Sequence, residues 1–145
     1  MHEDYRSLSC YRLDCALEDY NSAVTAFNNG HYRNTVNRAY YCVFHTIRSL
    51  LILDEKDFKR HSAVISEFRK CYIKTGIFDA KLSKIIEQTS DMRGESDYSD
   101  MINVSEEEAE KLLNDAKYFY DSVKPYVEKL IAENADTIAI DEPEP

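Results

Sequence analysis

Glycine is scarce in this chain, with only Gly30, Gly76 and Gly94 among 145 residues. That scarcity excludes a phosphate-cradling loop, which needs clustered glycines so that backbone amides can close on the anion. The four cysteines, Cys10, Cys15, Cys42 and Cys71, form no Cys-x-x-Cys pair, and neither His-Glu-x-x-His nor Glu-x-x-His occurs. No cofactor and no metal site is therefore expected, and a nucleophile elbow is also missing. No apolar run approaches the roughly 18 residues of a membrane span, and the opening MHEDYRSLSC lacks the apolar stretch of a secretory leader. The expectation is a soluble, cytoplasmic protein with buried, reduced thiols. A polybasic block is absent too. The net charge is −9, and Glu133, Asp136, Asp141, Glu142 and Glu144 supply five of those charges from the C-terminal end. Wrapping of duplex DNA is excluded, and any contact with nucleic acid must be local.

What remains is helical. Hydrophobic residues make up 43% of the chain, enough for one core. Between the glycines they recur at three and four positions with no strand alternation. The spacing predicts an all-α, up-and-down bundle of four to five helices. Residues 1–134 form one domain in this reading, and 135–145 an acidic, disordered tail. A first helix is expected from about His2 to Asn28, with Leu13, Leu17, Tyr20, Val24 and Phe27 inward and Asn28-Asn29-Gly30 as its exit. A third is lined by His61, Val64, Ile65, Phe68 and Tyr72 and ends near Gly76. The fourth runs from about Asp79 to Gly94. Ser105-Glu106-Glu107-Glu108 has the form of a capping box and opens a long last helix, which Pro125 should kink.

The stretch from Asn34 to Leu53 organises the rest. One face carries Val36, Ala39, Tyr40, Val43, Phe44, Ile47, Leu50 and Leu51, which is core. The other carries Asn34, Arg38, Tyr41, His45 and Arg48, a row of hydrogen-bonding groups around an aromatic, suited either to a polar interface or ligand site or to plain solvation. On the fourth helix the apolar line Leu82, Ile85, Ile86 and Thr89 continues into Arg93. A charge on a buried line is costly unless it is paired or solvated, so Arg93 either snorkels out at the helix end or faces a polar pocket. Arg, His, Tyr and Asp are the chemistry left to this chain. They suit phosphate contact, proton transfer at a ribose hydroxyl and base stacking.

Three segments carry a resemblance. Asn37-Arg38-Ala39-Tyr40-Tyr41-Cys42-Val43-Phe44-His45 resembles the (Ser/Asn)-Arg-Ala-Tyr-Tyr-x-x-Phe-His signature of HEPN domains, the higher eukaryote and prokaryote nucleotide-binding helical family. His61 to Phe68 with Lys74-Thr75-Gly76 is similar to a second family segment, and Arg93-Gly94-Glu95-Ser96-Asp97-Tyr98 to its Arg-x-x-x-Asp-Tyr segment. The resemblance spans roughly Tyr5 to Leu130. It implies a bundle that forms a homodimer, associates with a minimal nucleotidyltransferase in toxin-antitoxin or defence modules, and binds nucleotide or RNA, here through Arg38, Tyr41, His45, Arg93 and Tyr98. Many such proteins are metal-independent ribonucleases whose signature is Arg, four to six residues, then His. This chain departs from that signature, because no histidine follows Arg93 before Met101. Asp97 stands near the expected position, and a carboxylate cannot readily donate a proton as an imidazolium can. The candidate catalytic set is therefore Arg93 with Asp97 or His45. Two structural alternatives stand beside it: His45 bonded to a neighbouring carbonyl or carboxylate, and Asp97 ion-paired with Arg93. His61 is expected to cap or pack.

Overall fold

Apolar residues at helical spacing produce helices throughout. The computed structural model describes the backbone of residues 2–98 and 103–141 and the side chains of 5–94 and 103–133. Helix α1 spans His2–Asn28 and α2 Tyr32–Leu51, the latter followed by a 3-10 turn at Ile52–Asp54. Helix α3, His61–Phe68, runs into a π-helical turn at Arg69–Ile73; α4 is Ala80–Tyr98 and α5 Glu106–Asp141. No strand occurs among the described residues, and the all-α bundle is the one the spacing predicts.

Helix α2 is the centre, packing on α1, α3, α4 and α5. All eight residues assigned to its apolar face are buried, and Val64, Phe68, Leu82, Ile86, Phe119 and Val123 close the core around it. Gly30 sits just past α1 with φ +74°, the left-handed exit that glycine adopts without strain.

Helix α1 is rotated from the expected stripe. Leu13 is buried, but Leu17, Tyr20, Val24 and Phe27 are only half-buried, and the buried line is Ser9, Arg12, Ala16, Asp19 and Ala23. Ser9, Ala16 and Ala23 fall seven apart, so small side chains recur on one line and let α2 come close. The Ser9 hydroxyl donates to the Ser49 carbonyl at 2.6 Å, filling that contact with a hydrogen bond. Size alone misjudged this face. The same rotation leaves Cys10 exposed and Cys15 half-buried, so the expectation of buried thiols holds fully only for Cys42. Burial pushes the Cys42 thiol up to about 12.

Two boundaries differ from expectation. Gly94 does not end α4, which continues to Tyr98; a helix-interior glycine costs only about 1 kcal/mol and Gly94 keeps a negative φ. Helix α5 continues past Asn134, where the acidic tail was expected to begin, to Asp141, because no glycine or proline interrupts the backbone between Pro125 and Pro143. Its start is as expected. Glu108 N–H donates to Ser105 Oγ and Ser105 N–H to Glu108 Oε1, both at 3.1 Å, the reciprocal bonds of a capping box.

Candidate functional site

Helices α2, α3 and α4 meet around Tyr40. The ring lies on the buried face of α2, only 3% exposed, and its hydroxyl is 2.9 Å from His61 Nδ1, at the first position of α3. The His61 ring stacks on Phe44 with centroids 4.0 Å apart and planes 27° apart. From α4, the Arg93 guanidinium carbon stands 4.9 Å from the Tyr40 centroid and 5.4 Å from that of Tyr41. Arg93 Nη2 also donates to the Tyr41 hydroxyl at 3.3 Å. Cation–π attraction to two rings holds the charge at the edge of the core, where the electron-rich faces offset part of its lost hydration. Of the two expectations for Arg93, the polar pocket is what the structure shows.

That pocket is a cleft of about 590 Å³ whose lining includes Tyr40, His61, Lys70, Lys74, Ser90 and Arg93. Arg69 forms part of the wall, anchored through Nε to the Ser83 hydroxyl at 3.0 Å and through Nη2 to its carbonyl at 3.2 Å. Glu87 and Asp91 edge the cleft from α4. Among the described residues, neither Lys70 nor Lys74 has a carboxylate within ion-pair distance. The cleft thus presents several cations beside an imidazole, a set of donors suited to an anionic ligand.

Burial is the first cause that lowers the His61 pKa below its ordinary value, and the positive fields of Arg93, Arg48 and His45 act in the same sense. The imidazole is therefore neutral at neutral pH, able to accept a proton. Burial raises the Tyr40 phenol, against a smaller lowering by Arg93, so Tyr40 stays a hydroxyl, able either to donate to His61 Nδ1 or to accept from its N–H according to the imidazole tautomer. The other ring nitrogen, Nε2, has no hydrogen-bond partner among the described residues.

A second cluster lies on the α1 side of α2. Asp19, buried on α1, accepts from Arg38 Nη1 at 3.0 Å and pairs with His45 Nδ1 at 2.7 Å. Arg38 also covers the Tyr41 ring at 5.0 Å. The row Arg38, Tyr41 and His45 is thus brought together, and the Tyr41 hydroxyl joins it to Arg93. Asn34, by contrast, is exposed. His45 is bonded to a carboxylate, as its structural alternative expected, and does not line the Arg93 cleft; His61, expected only to cap or pack, does. The side chains of Asp97 and Tyr98 lie outside the described residues. Asp19 carries no motif. The signal available for it was of the kind that marked Arg93, a charge on a buried helical line, here Ser9, Arg12, Ala16, Asp19 and Ala23.

No cluster of His, Cys, Asp and Glu suited to a metal ion occurs among the described residues, and no described helix is long and apolar enough to cross a membrane. Comparison with known proteins gives a HEPN domain match over residues 10–126. The chain is similar to the protein named "Putative toxin MJ0605" of Methanocaldococcus jannaschii, 29% identical over 131 residues that cover 90% of this chain and 97% of the relative. It is similar as well to "Putative toxin MJ0142" of the same organism, 32% identical over 79% of this chain and 78% of the relative. A "UPF0332 protein" of Thermotoga maritima is 28% identical over 79% of this chain and 87% of the relative.

Proposed function

The chain belongs to the HEPN domain family, and from that premise we propose that it is a toxin-type helical protein whose Arg93 cleft takes a phosphate group of a nucleotide or of RNA. The observation that carries this reading is the Arg93 guanidinium held over Tyr40 and Tyr41 at the wall of a cleft that also holds Lys70, Lys74 and a neutral His61. A guanidinium fixed in place binds phosphate oxygens with little ordering cost. The names of two relatives support a toxin module. The reading includes a cytoplasmic homodimer that associates with a minimal nucleotidyltransferase. Fluorescence anisotropy of a labelled RNA at one salt concentration tests the cleft, with Arg93→Ala expected to lose binding. Light scattering tests the dimer, and a mass of 16.9 kDa at tens of micromolar would count against it.

One observation favours a second, enzymatic reading, metal-independent cleavage of RNA. His61 supplies beside Arg93 the imidazole that the segment after Arg93 lacks. In the tautomer whose Nδ1–H donates to the Tyr40 oxygen, its Nε2 is unprotonated and would take the proton of a ribose 2′-hydroxyl as that oxygen attacks phosphorus. The bond from phosphorus to the 5′-oxygen then breaks, the leaving oxygen takes a proton from water, and the products are a 2′,3′-cyclic phosphate and a 5′-hydroxyl. Incubation of RNA with the protein in chelator decides this, cyclic-phosphate ends being expected from wild type and none from His61→Asn.

A further inference from the structure

His61 belongs to two clefts. Besides the Arg93 cleft it lines a smaller one of about 320 Å³, shared with Phe44, Arg48, Asp57, Phe58 and Lys59. The two are chemically alike. Each joins cations to a surface on which a base can stack, the Arg93 guanidinium over the buried Tyr40 in the larger and the half-buried Phe58 ring in the smaller, and each is large enough to seat about one nucleotide. In the smaller cleft Arg48 is already committed, its Nη2 2.8 Å from Asp57 Oδ1 and its guanidinium 5.9 Å from the Phe44 centroid. Lys59 is the uncommitted charge there: it is exposed and makes no ion pair among the described residues. Phe58 is half-buried and packs on the core, so part of its ring remains open to a ligand. The stacked Phe44 and His61 rings form the ridge between the clefts.

A mononucleotide has one base and one phosphate and fills one such cleft. Two clefts that each pair positive charge with a stacking surface, joined by one imidazole, match a ligand whose pattern repeats. Single-stranded nucleic acid repeats in this way, with bases that stack on aromatic side chains and a backbone that follows positive charge.

We propose that Phe58, Lys59 and Arg48 form a second nucleotide subsite, so that the site takes a single strand of at least two nucleotides with His61 facing the phosphodiester between them. This rests on the reading of the Arg93 cleft as a phosphate site. Because the protein is acidic overall, long-range attraction adds little for further nucleotides, and the gain in affinity is concentrated in the second.

Calorimetric titration with 5′-phosphorylated adenylate mono-, di- and tetranucleotides, in ribo and 2′-deoxy forms, tests this directly. In wild type the dinucleotide should bind about tenfold more tightly than the mononucleotide, one further stacked base being worth about that much or more. Lys59→Ala and Phe58→Ala should bring the dinucleotide back toward the mononucleotide while leaving the mononucleotide unchanged. Arg93→Ala should weaken both. Lys59 is exposed, so its variant should fold even if the Phe58 variant does not. Equal affinity for mono- and dinucleotide in wild type, or equal weakening of both by Lys59→Ala, would overturn the second subsite and leave the Arg93 cleft standing. Failure of every oligomer to bind would overturn the cleft reading and this inference with it.

Discussion

Asp19 Oδ2 lies 2.7 Å from His45 Nδ1, while its other oxygen accepts from Arg38. One carboxylate thus fixes two side chains of the α2 polar row from a neighbouring helix. The Asp19 side chain is 12% exposed and that of Arg38 38%, so the arginine keeps much of its hydration and screening discounts its share. Asp19→Ala strands both partners, and a cost of roughly 1 to 3 kcal/mol is expected, chiefly from the histidine bond and the lost buried acceptor. Asp19→Asn should cost less, since the amide oxygen still accepts. Urea melts of the two variants check the order, and an unchanged midpoint for Asp19→Ala would show that the cluster is held by other contacts.

Among its described contacts, aromatic faces and a hydroxyl hold Arg93. Loss of the cation–π contacts in Arg93→Ala is expected to lower stability by about 1 to 2 kcal/mol, while RNA affinity falls at least tenfold. Arg93→Lys should keep part of the affinity, because a point charge attracts phosphate but lacks the bidentate fork. Melting temperature and anisotropy measured on the same samples separate folding from binding. Unaltered affinity in a folded Arg93→Ala protein would remove the cleft from the functional reading.

His61 makes stability depend on pH in a stated direction. Its folded pKa is lowered from the ordinary 6.5, first by burial and then by the nearby positive groups. The unfolded chain therefore binds the proton more readily than the folded one, and stability rises with pH through this window. The contribution is complete above about 6.5 and declines as pH falls through the lowered folded value. Thermal melts from pH 7.5 down to 5 should show wild type losing melting temperature in that range, with a flatter profile for His61→Asn. An identical slope in the variant would assign the effect to other groups.

Ala16 is fully buried on the line that α1 turns toward α2. Ala16→Leu forces the helices apart or distorts rotamers, and about 1 to 3 kcal/mol of destabilisation is expected. Cys10→Leu adds comparable bulk on an exposed position and should change stability by about 0.5 kcal/mol or less. Chemical denaturation of the pair checks this, and equal effects would mean that the small-residue line is not the contact surface.

By itself the sequence determined the helices, because periodicity, glycine exits and caps are local properties: α1 was legible to its last residue and the α5 capping box to its two bonds. It also marked Arg93, since a charge in line with Leu82, Ile86 and Thr89 needs an explanation that the helix alone cannot supply. The tertiary structure decided how α1 turns, because the small Ser9, Ala16 and Ala23 become the inner face only when α2 is present to approach them. It also decided which imidazole stands beside Arg93. The six residues from Glu55 to Arg60 leave the turn after α2 and bring α3 back against Tyr40. His61 thereby enters the cleft, while Asp19 holds His45 on the other side of the helix. Such meetings depend on how separate helices pack against one another, and residue spacing along a single helix does not encode them.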